Sequence, residues 1–247
     1  MSSAILPPSA VRRLGVPTLR PTAVHQWQAS RLSPTALTGQ AATLARAGTG
    51  TFTDSGGGTV TAVHSMPRWE SRTWFGAPAV GLRLGTDDLS WPLDWPLGTL
   101  TLLLEGVNMG TANTSGQGLV YAGLDAGTGN RLVVRGTGTT FAVDLVIGAN
   151  TSTATFGAAV ANPDPVQLVV QVEDTGTTQR VRIGGTDAGT PVAFSAWGTA
   201  IARGTFPSGS RLRLNRVGSA GAQGNAWVRR CAVYAGLLTL DESVDRL

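Results

Sequence analysis

Alternation of apolar and polar positions, not a helical period, organises the second half of this 247-residue chain. In Val166-Gln-Leu-Val-Val-Gln-Val-Glu173, the residues Val166, Leu168, Val170 and Val172 share one parity, while Gln167, Gln171 and Glu173 share the other. A period of two with one polar face predicts a half-buried strand of an antiparallel sheet. Gln179-Arg-Val-Arg-Ile183 and Arg211-Leu-Arg-Leu-Asn215 alternate in the same way. The first of these stops at Gly184-Gly185, after which Thr190 to Phe194 is expected to supply a return strand. Gly98 to Glu105 is apolar on both parities, which predicts a central strand. Asn130 to Arg135 and Thr140 to Ile147 read as neighbours around the turn Gly136-Thr137-Gly138. Near the end, a strand-like run from Arg211 to Val217 leads through a Gly-rich loop into the apolar run Trp227 to Tyr234. Thr239-Leu-Asp-Glu242 has the form of a capping box, so a short helix should start near Leu240.

Composition agrees with strands. The chain has 33 Gly and only 14% charged residues, which favours strands joined by tight turns over long helices. A strand face of three or four Val or Leu removes roughly 300 Å² of apolar surface from water, worth several kcal/mol at about 25 cal/mol/Å². That does not repay the ordering of one hairpin, but two packed sheets do repay theirs. The expected fold is therefore an all-β antiparallel sandwich, with no internal repeat of solenoid or propeller period. All 19 basic residues are Arg, and the formal charge of +4 is too modest to announce a nucleic-acid partner. The single cysteine, Cys231, excludes an internal disulfide and a multi-cysteine zinc site, and its apolar surroundings predict a buried core residue. The start Met1-Ser-Ser-Ala4 lacks a basic, apolar leader, and no apolar run reaches the ~20 residues needed to cross a membrane. Synthesis in a cytoplasm without secretion or membrane insertion is the expectation.

Residues 1–40 differ from the rest, holding Pro7, Pro8, Pro17, Pro21 and Pro34, with no acidic residue before Asp54. Proline fixes φ and removes amide donors, so this piece reads as an extended arm. Arg12, Arg13, Arg20, Arg31 and Trp27 are its candidate anchoring residues, with an acidic protein surface as counterpart. Residues 41–75 read as a β-hairpin connector, with Thr51 to Asp54 entering a turn at Ser55-Gly56-Gly57-Gly58 and Thr59 to Val63 returning. Arg46, Ala47, Thr51, Phe52, Asp54, Pro67, Arg68 and Trp69 resemble a segment found in bacteriophage tail and head-fibre proteins, although Gly48 replaces the usual Ser or Thr. Residues 76–247 resemble laminin-G-like and concanavalin-like jelly rolls in their order of strand, loop, strand and closing helix.

Together the two resemblances imply a non-enzymatic phage virion structural protein, displayed on the capsid or tail and anchored to other virion subunits through its arm. They imply a homo-oligomer, with a trimer among the expected forms, made in the bacterial host cytoplasm and located on the virion surface. Two alternatives stay open: a lectin-like tail protein that binds a host polysaccharide, and a polysaccharide-degrading enzyme. Glycosidases of the concanavalin-like fold commonly carry Glu-x-Asp-x-x-Glu on one strand, and that string is missing here. The pairs Asp87-Asp88, Glu173-Asp174 and Asp241-Glu242 would point apart on a strand. His25 and His64 stand apart from any acidic cluster. No catalytic residue and no cofactor is expected. Calcium, held by loop acids such as Asp87, Asp88 and Asp94, is the one ion the resemblance leaves open. Trp69, Trp74, Trp91 and Trp95 fall within a short stretch, and either a glycan platform or a subunit seam would use them.

Overall fold

The computed structural model describes residues 98–108, 118–124, 129–160, 165–214 and 226–243 and, as backbone alone, six earlier strands. Those six are β1 (His25–Gln28), β2 (Gly50–Thr53), β3 (Thr59–Val63), β4 (Arg68–Trp74), β5 (Ala77–Arg83) and β6 (Asp88–Pro92). There follow β7 (Leu100–Asn108), β8 (Gly118–Gly123), β9 (Arg131–Gly136), β10 (Phe141–Ile147), β11 (Asn150–Thr155), β12 (Val166–Asp174) and β13 (Thr178–Asp187). The last elements are β14 (Thr190–Val192), β15 (Ile201–Ala202), β16 (Arg211–Leu214), β17 (Ala226–Ala235) and the single-turn helix α1 (Leu240–Ser243).

Among the described residues every strand pairing is antiparallel, and the strands form two sheets. The larger sheet runs β14-β13-β12-β7-β17-β5-β4, with β1 also paired to β17 and β15 to β13. The other runs β11-β10-β9-β8-β16-β6-β3-β2. Between them lies one continuous apolar core, to which Leu102, Leu104, Leu168, Val170, Val181, Ile183 and Val233 contribute from the larger sheet. Val120, Leu132, Val134, Val143, Leu145, Leu212 and Leu214 answer from the smaller one. The protein is an all-β sandwich of two antiparallel sheets closed by a short C-terminal helix.

Several expected elements fall where the alternation placed them. β7 is central, flanked by β12 and β17. The β9–β10 and β2–β3 hairpins both form, and Cys231 is buried in the core. At α1 the capping box is complete: the Thr239 amide donates to Glu242 Oε2 at 2.8 Å, and the Glu242 amide donates to Thr239 Oγ1 at 3.2 Å. Pairing also crosses the connector positions, since β3 bonds to β6 and β4 to β5, and it includes β1 from the N-terminal stretch.

Two expectations are corrected. β12 is not half-buried: Gln167, Val169 and Gln171 on its polar parity are 2%, 0% and 0% exposed, as deeply covered as Leu168 and Val170 on the core side. The cause is a second layer outside the larger sheet, where Leu103, Val169, Ala232 and Tyr234 pack with Phe194, Leu238 and Leu240. The polar groups caught beneath it are satisfied locally: the Leu238 amide donates to Thr101 Oγ1 at 3.1 Å, and Thr101 Oγ1 donates to the Gly236 carbonyl at 2.8 Å. The strand does not stop at Gly184-Gly185 but runs through both glycines to Asp187, and its return strand ends at Val192 and not at Phe194, because the chain there leaves the ladder to lie over Gly184.

A bulge between Val228 and Arg230 shapes the same outer face. One extra residue on β17 lets Arg229 and Arg230 both reach Glu105, which is fully buried. Arg229 donates to Glu105 Oε2 at 2.6 Å, Gln167 Nε2 donates to Oε1 at 3.0 Å, and Thr186 Oγ1 donates to Gln167 Oε1 at 2.8 Å. Removing one member of such a buried network leaves the others uncompensated, at a cost of about 3 to 5 kcal/mol.

At Gly185 the open side of the β13 backbone faces the backbone of β12. Its φ is +146°, and a Cβ built there would lie 1.7 Å from the Gln167 carbonyl oxygen. Gly185→Ala should therefore cost about 3 kcal/mol or more in urea unfolding. Gly176→Ala, in the open turn after β12 with φ +89°, should cost only about 1 to 2 kcal/mol. Equal losses at the two positions would contradict the close approach.

Candidate functional site

The free edge of β13 is not completed by a regular strand. β14 pairs with its C-terminal end and β15 with its start, and residues 193–200 bridge the gap. Along that gap the backbone groups of Val181 and Ile183 are all accounted for, as buried amides and carbonyls require. The Ser195 amide donates to the Ile183 carbonyl at 2.8 Å, and the Ile183 amide donates to Ser195 Oγ at 3.2 Å. The Gly198 amide donates to the Val181 carbonyl at 2.8 Å, and the Val181 amide donates to Ser152 Oγ, from β11 of the other sheet, at 3.3 Å. Two serine hydroxyls thus stand in for the carbonyls of a missing strand. A Cβ on Gly198 would meet the Thr153 carbonyl oxygen at 2.5 Å, so the segment is held tightly between the two sheet edges.

The bridging segment carries its aromatic side chains over the outer face of the larger sheet. Gly184 makes this possible, because a Cβ there would lie 2.9 Å from the Phe194 backbone and from its ring. Alternation along β13 puts Val181 and Ile183 into the core and Arg180 and Arg182 on the opposite face. The Arg182 guanidinium carbon lies 4.4 Å from the Phe194 ring centre and 4.4 Å from that of Trp197. The Arg180 guanidinium carbon lies 4.8 Å from the Trp197 ring centre. Such contacts are worth about 0.5 to 2 kcal/mol each, rising as water is excluded.

Polar partners fix both arginines from the neighbouring strand. Arg180 Nε donates to Glu173 Oε2 at 2.5 Å, and Arg182 Nε donates to Gln171 Oε1 at 2.7 Å. These are the register neighbours Glu173↔Arg180 and Gln171↔Arg182. Burial is the largest influence on the Arg182 guanidinium and pulls its pKa down, while the Glu173 charge raises it and the Arg180 charge lowers it further. One turn away, Asp174 accepts from the Gly176 amide at 2.8 Å, from Gln179 Nε2 at 3.1 Å and from Arg203 Nε at 2.8 Å. Burial pushes the Asp174 carboxyl up, but the Arg203 bond leads a set of hydrogen bonds that together hold it below the ordinary aspartate range. The result is a partly exposed surface of two aromatic rings, the guanidiniums of Arg180 and Arg182 and the Glu173 carboxylate, with the Asp174–Arg203 pair on the opposite parity of the strands. It can stack on apolar rings and exchange hydrogen bonds with polar substituents.

The residues singled out from sequence are distributed differently. Arg12, Arg13, Arg20, Arg31 and Trp95 lie outside the described residues, as do Asp87, Asp94 and His64. Trp27 stands opposite Cys231 in β1, and Trp69 and Trp74 stand opposite Leu82 and Ala77 in β4, all in the larger sheet. Trp91, in β6, stands opposite Leu212 in the other sheet. Proximity in sequence therefore does not gather Trp69, Trp74 and Trp91 on one sheet. Among the described residues no three His, Cys, Asp or Glu side chains are grouped to hold a metal ion. Sequence reasoning missed Arg180, Arg182, Phe194 and Trp197. The signal available was Arg-x-Arg on an alternating strand followed by Phe-x-x-Trp after a double glycine.

The fold places the chain among β-sandwich domains. It is similar to domain 4 of AbnA, a GH43 extracellular arabinanase from Geobacillus stearothermophilus, in complex with arabinotriose, with a TM-score of 0.59 and 12% identity over 91% of this chain and 100% of that one. It is similar to Trypanosoma rangeli sialidase in complex with a difluoro-KDN ligand, with a TM-score of 0.50 and 16% identity over 78% of this chain and 29% of the sialidase. A third likeness is to the binding domain of botulinum neurotoxin DC in complex with SialylT, with a TM-score of 0.50 and 10% identity over 76% of this chain and 46% of that one. At these identities the likeness is one of fold. No protein-family model matches the chain, and no curated protein matches it in sequence.

Two outcomes test the geometry. In a double-mutant cycle of Arg182→Gln and Trp197→Ala, urea unfolding should give a coupling of about 1 kcal/mol, and additive losses would contradict the stacked contact. Because the Asp174 carboxyl is held below its unfolded value, it adds stability at neutral pH that is lost as pH falls through its folded value. The stability gap between the native chain and Asp174→Asn should therefore be full at neutral pH and close below the ordinary aspartate range. A gap that widened on acidification would refute the assignment.

Proposed function

We propose that this chain is a carbohydrate-binding β-sandwich module that acts by recognition and not by catalysis. The observation that carries the reading is the pairing of Trp197 and Phe194 with Arg180 and Arg182 on the outer face of β13. Saccharides present an apolar ring face beside a rim of hydroxyls, so their sites combine an aromatic surface with converging polar groups. The fold supports the same reading, since two of the similar structures are complexes with arabinotriose and with SialylT.

Support for a non-catalytic role comes from the described carboxylates. Glycoside hydrolysis needs two carboxyl groups across a sugar-binding groove, one of them kept protonated as general acid. Here four of the described carboxylates, Glu105, Asp144, Glu173 and Asp174, are each engaged by an arginine in an ion pair that ties neighbouring strands or loops together, and Glu242 caps α1. Release of reducing ends from a polysaccharide incubated with the chain would overturn this part of the proposal.

The setting we propose is the surface of a phage particle, and it rests on the resemblance of residues 42–69 to tail and head-fibre segments. There the module would present its saccharide site to the host, held by other virion proteins and by copies of itself. A truncation that tests anchoring should remove residues 1–24, because a cut at residue 40 would also delete β1 and its pairing with β17. Particles that incorporate this truncation normally would sink the anchoring role.

Binding itself is tested on an array of neutral and acidic oligosaccharides with the full chain. The expected outcome is a bound saccharide whose affinity falls about ten-fold or more in Trp197→Ala, equivalent to about 1.4 kcal/mol, while circular dichroism stays unchanged. A folded chain that binds nothing on the array contradicts the proposal.

A further inference from the structure

We propose that the saccharide bound here carries a carboxylate and that Arg182 receives it. The inference rests on the glycan-binding reading and names the ligand class of that same site. The two guanidiniums of β13 are not equivalent. Arg180 is paired with Glu173, so its charge is compensated on contact. Arg182 bonds through Nε to Gln171 Oε1, the oxygen of a neutral amide. Among the described residues its terminal nitrogens, Nη1 and Nη2, have no hydrogen-bond acceptor, and no carboxylate is in salt-bridge contact with it.

That arrangement is built for an incoming anion. Phe194 and Trp197 both lie 4.4 Å from the guanidinium carbon, which limits the motion of the group, while the Gln171 bond fixes Nε. Little side-chain freedom is left to lose when a ligand binds. Arg182 is only partly buried, so part of its side chain faces solvent beside the segment above. With rings at this distance, an acceptor is best received in the guanidinium plane at Nη1 and Nη2. A planar carboxylate meets that edge with two parallel hydrogen bonds. Trp197 offers apolar surface beside it for the ring that bears the acid. The neighbouring carboxylate Glu173 does not repel the ligand strongly, because Arg180 neutralises it.

The test compares matched saccharides by titration calorimetry with the full chain: oligogalacturonate against its carboxyl-reduced form, and sialyllactose against lactose. The expected result is that at least one acid binds about ten-fold or more tightly than its neutral partner, and that the preference weakens with added salt. Arg182→Gln should erase the preference, and Arg182→Lys, which keeps the charge but not the fork, should recover it only in part. Thermal midpoints of both variants keep a folding defect separate from a binding one. Equal binding of acid and neutral partners, or a preference retained in Arg182→Gln, overturns this inference while leaving the glycan-binding reading intact. Binding of none of the four by the folded native chain overturns the inference, and a silent array of other saccharides would then overturn the broader reading as well.

Discussion

The outer surface of the larger sheet depends on a close approach at Gly184. With no Cβ there, the Phe194 backbone can come down onto β13, and the chain from 193 to 200 leaves the regular ladder. Departure from the ladder would strand the amides of Val181 and Ile183, and the hydroxyls of Ser152 and Ser195 receive them instead. The segment is thereby free to hold Trp197 over Arg180 and Arg182. A Cβ at position 184 would meet the Phe194 backbone and ring at 2.9 Å, so the segment could not keep this approach unchanged.

The same sheet shows why a polar parity does not guarantee a wet face. Gln167 and Gln171 read as solvent-facing from alternation, yet they form part of a hydrogen-bonded grid beneath a second layer. Glutamine suits this position because its amide can donate on one side and accept on the other. Gln167 donates to Glu105 and accepts from Thr186, while Gln171 accepts from Arg182. The grid links β7, β12 and β13 by side chains as well as by backbone, and it gives the proposed site a rigid floor.

Much of the sandwich was legible in the sequence, because local patterns specify local structure. The both-parity apolar run at Gly98 to Glu105 marked the central β7, and Thr239 with Glu242 marked the start of α1 within a single turn. The site was far less legible. Its contact between Arg182 and Trp197 joins residues on either side of a double glycine and a broken strand, and no periodicity announces it. Trp69 and Trp74 lie in β4 and Trp91 in β6, strands of different sheets, which nearness in sequence does not reveal. The covered polar parity of β12 was missed for a similar reason, since the residues that roof it come from the far C-terminal segment and from Phe194.

The most direct test of the central claim is nuclear magnetic resonance of the full chain titrated with a bound oligosaccharide, following the Trp197 indole N–H and the Arg182 Nε–H. The account predicts that both resonances shift together and saturate with the binding curve. Saturable binding that moves neither of them, with shifts confined to another part of the sandwich, would place the saccharide elsewhere and contradict the site described here.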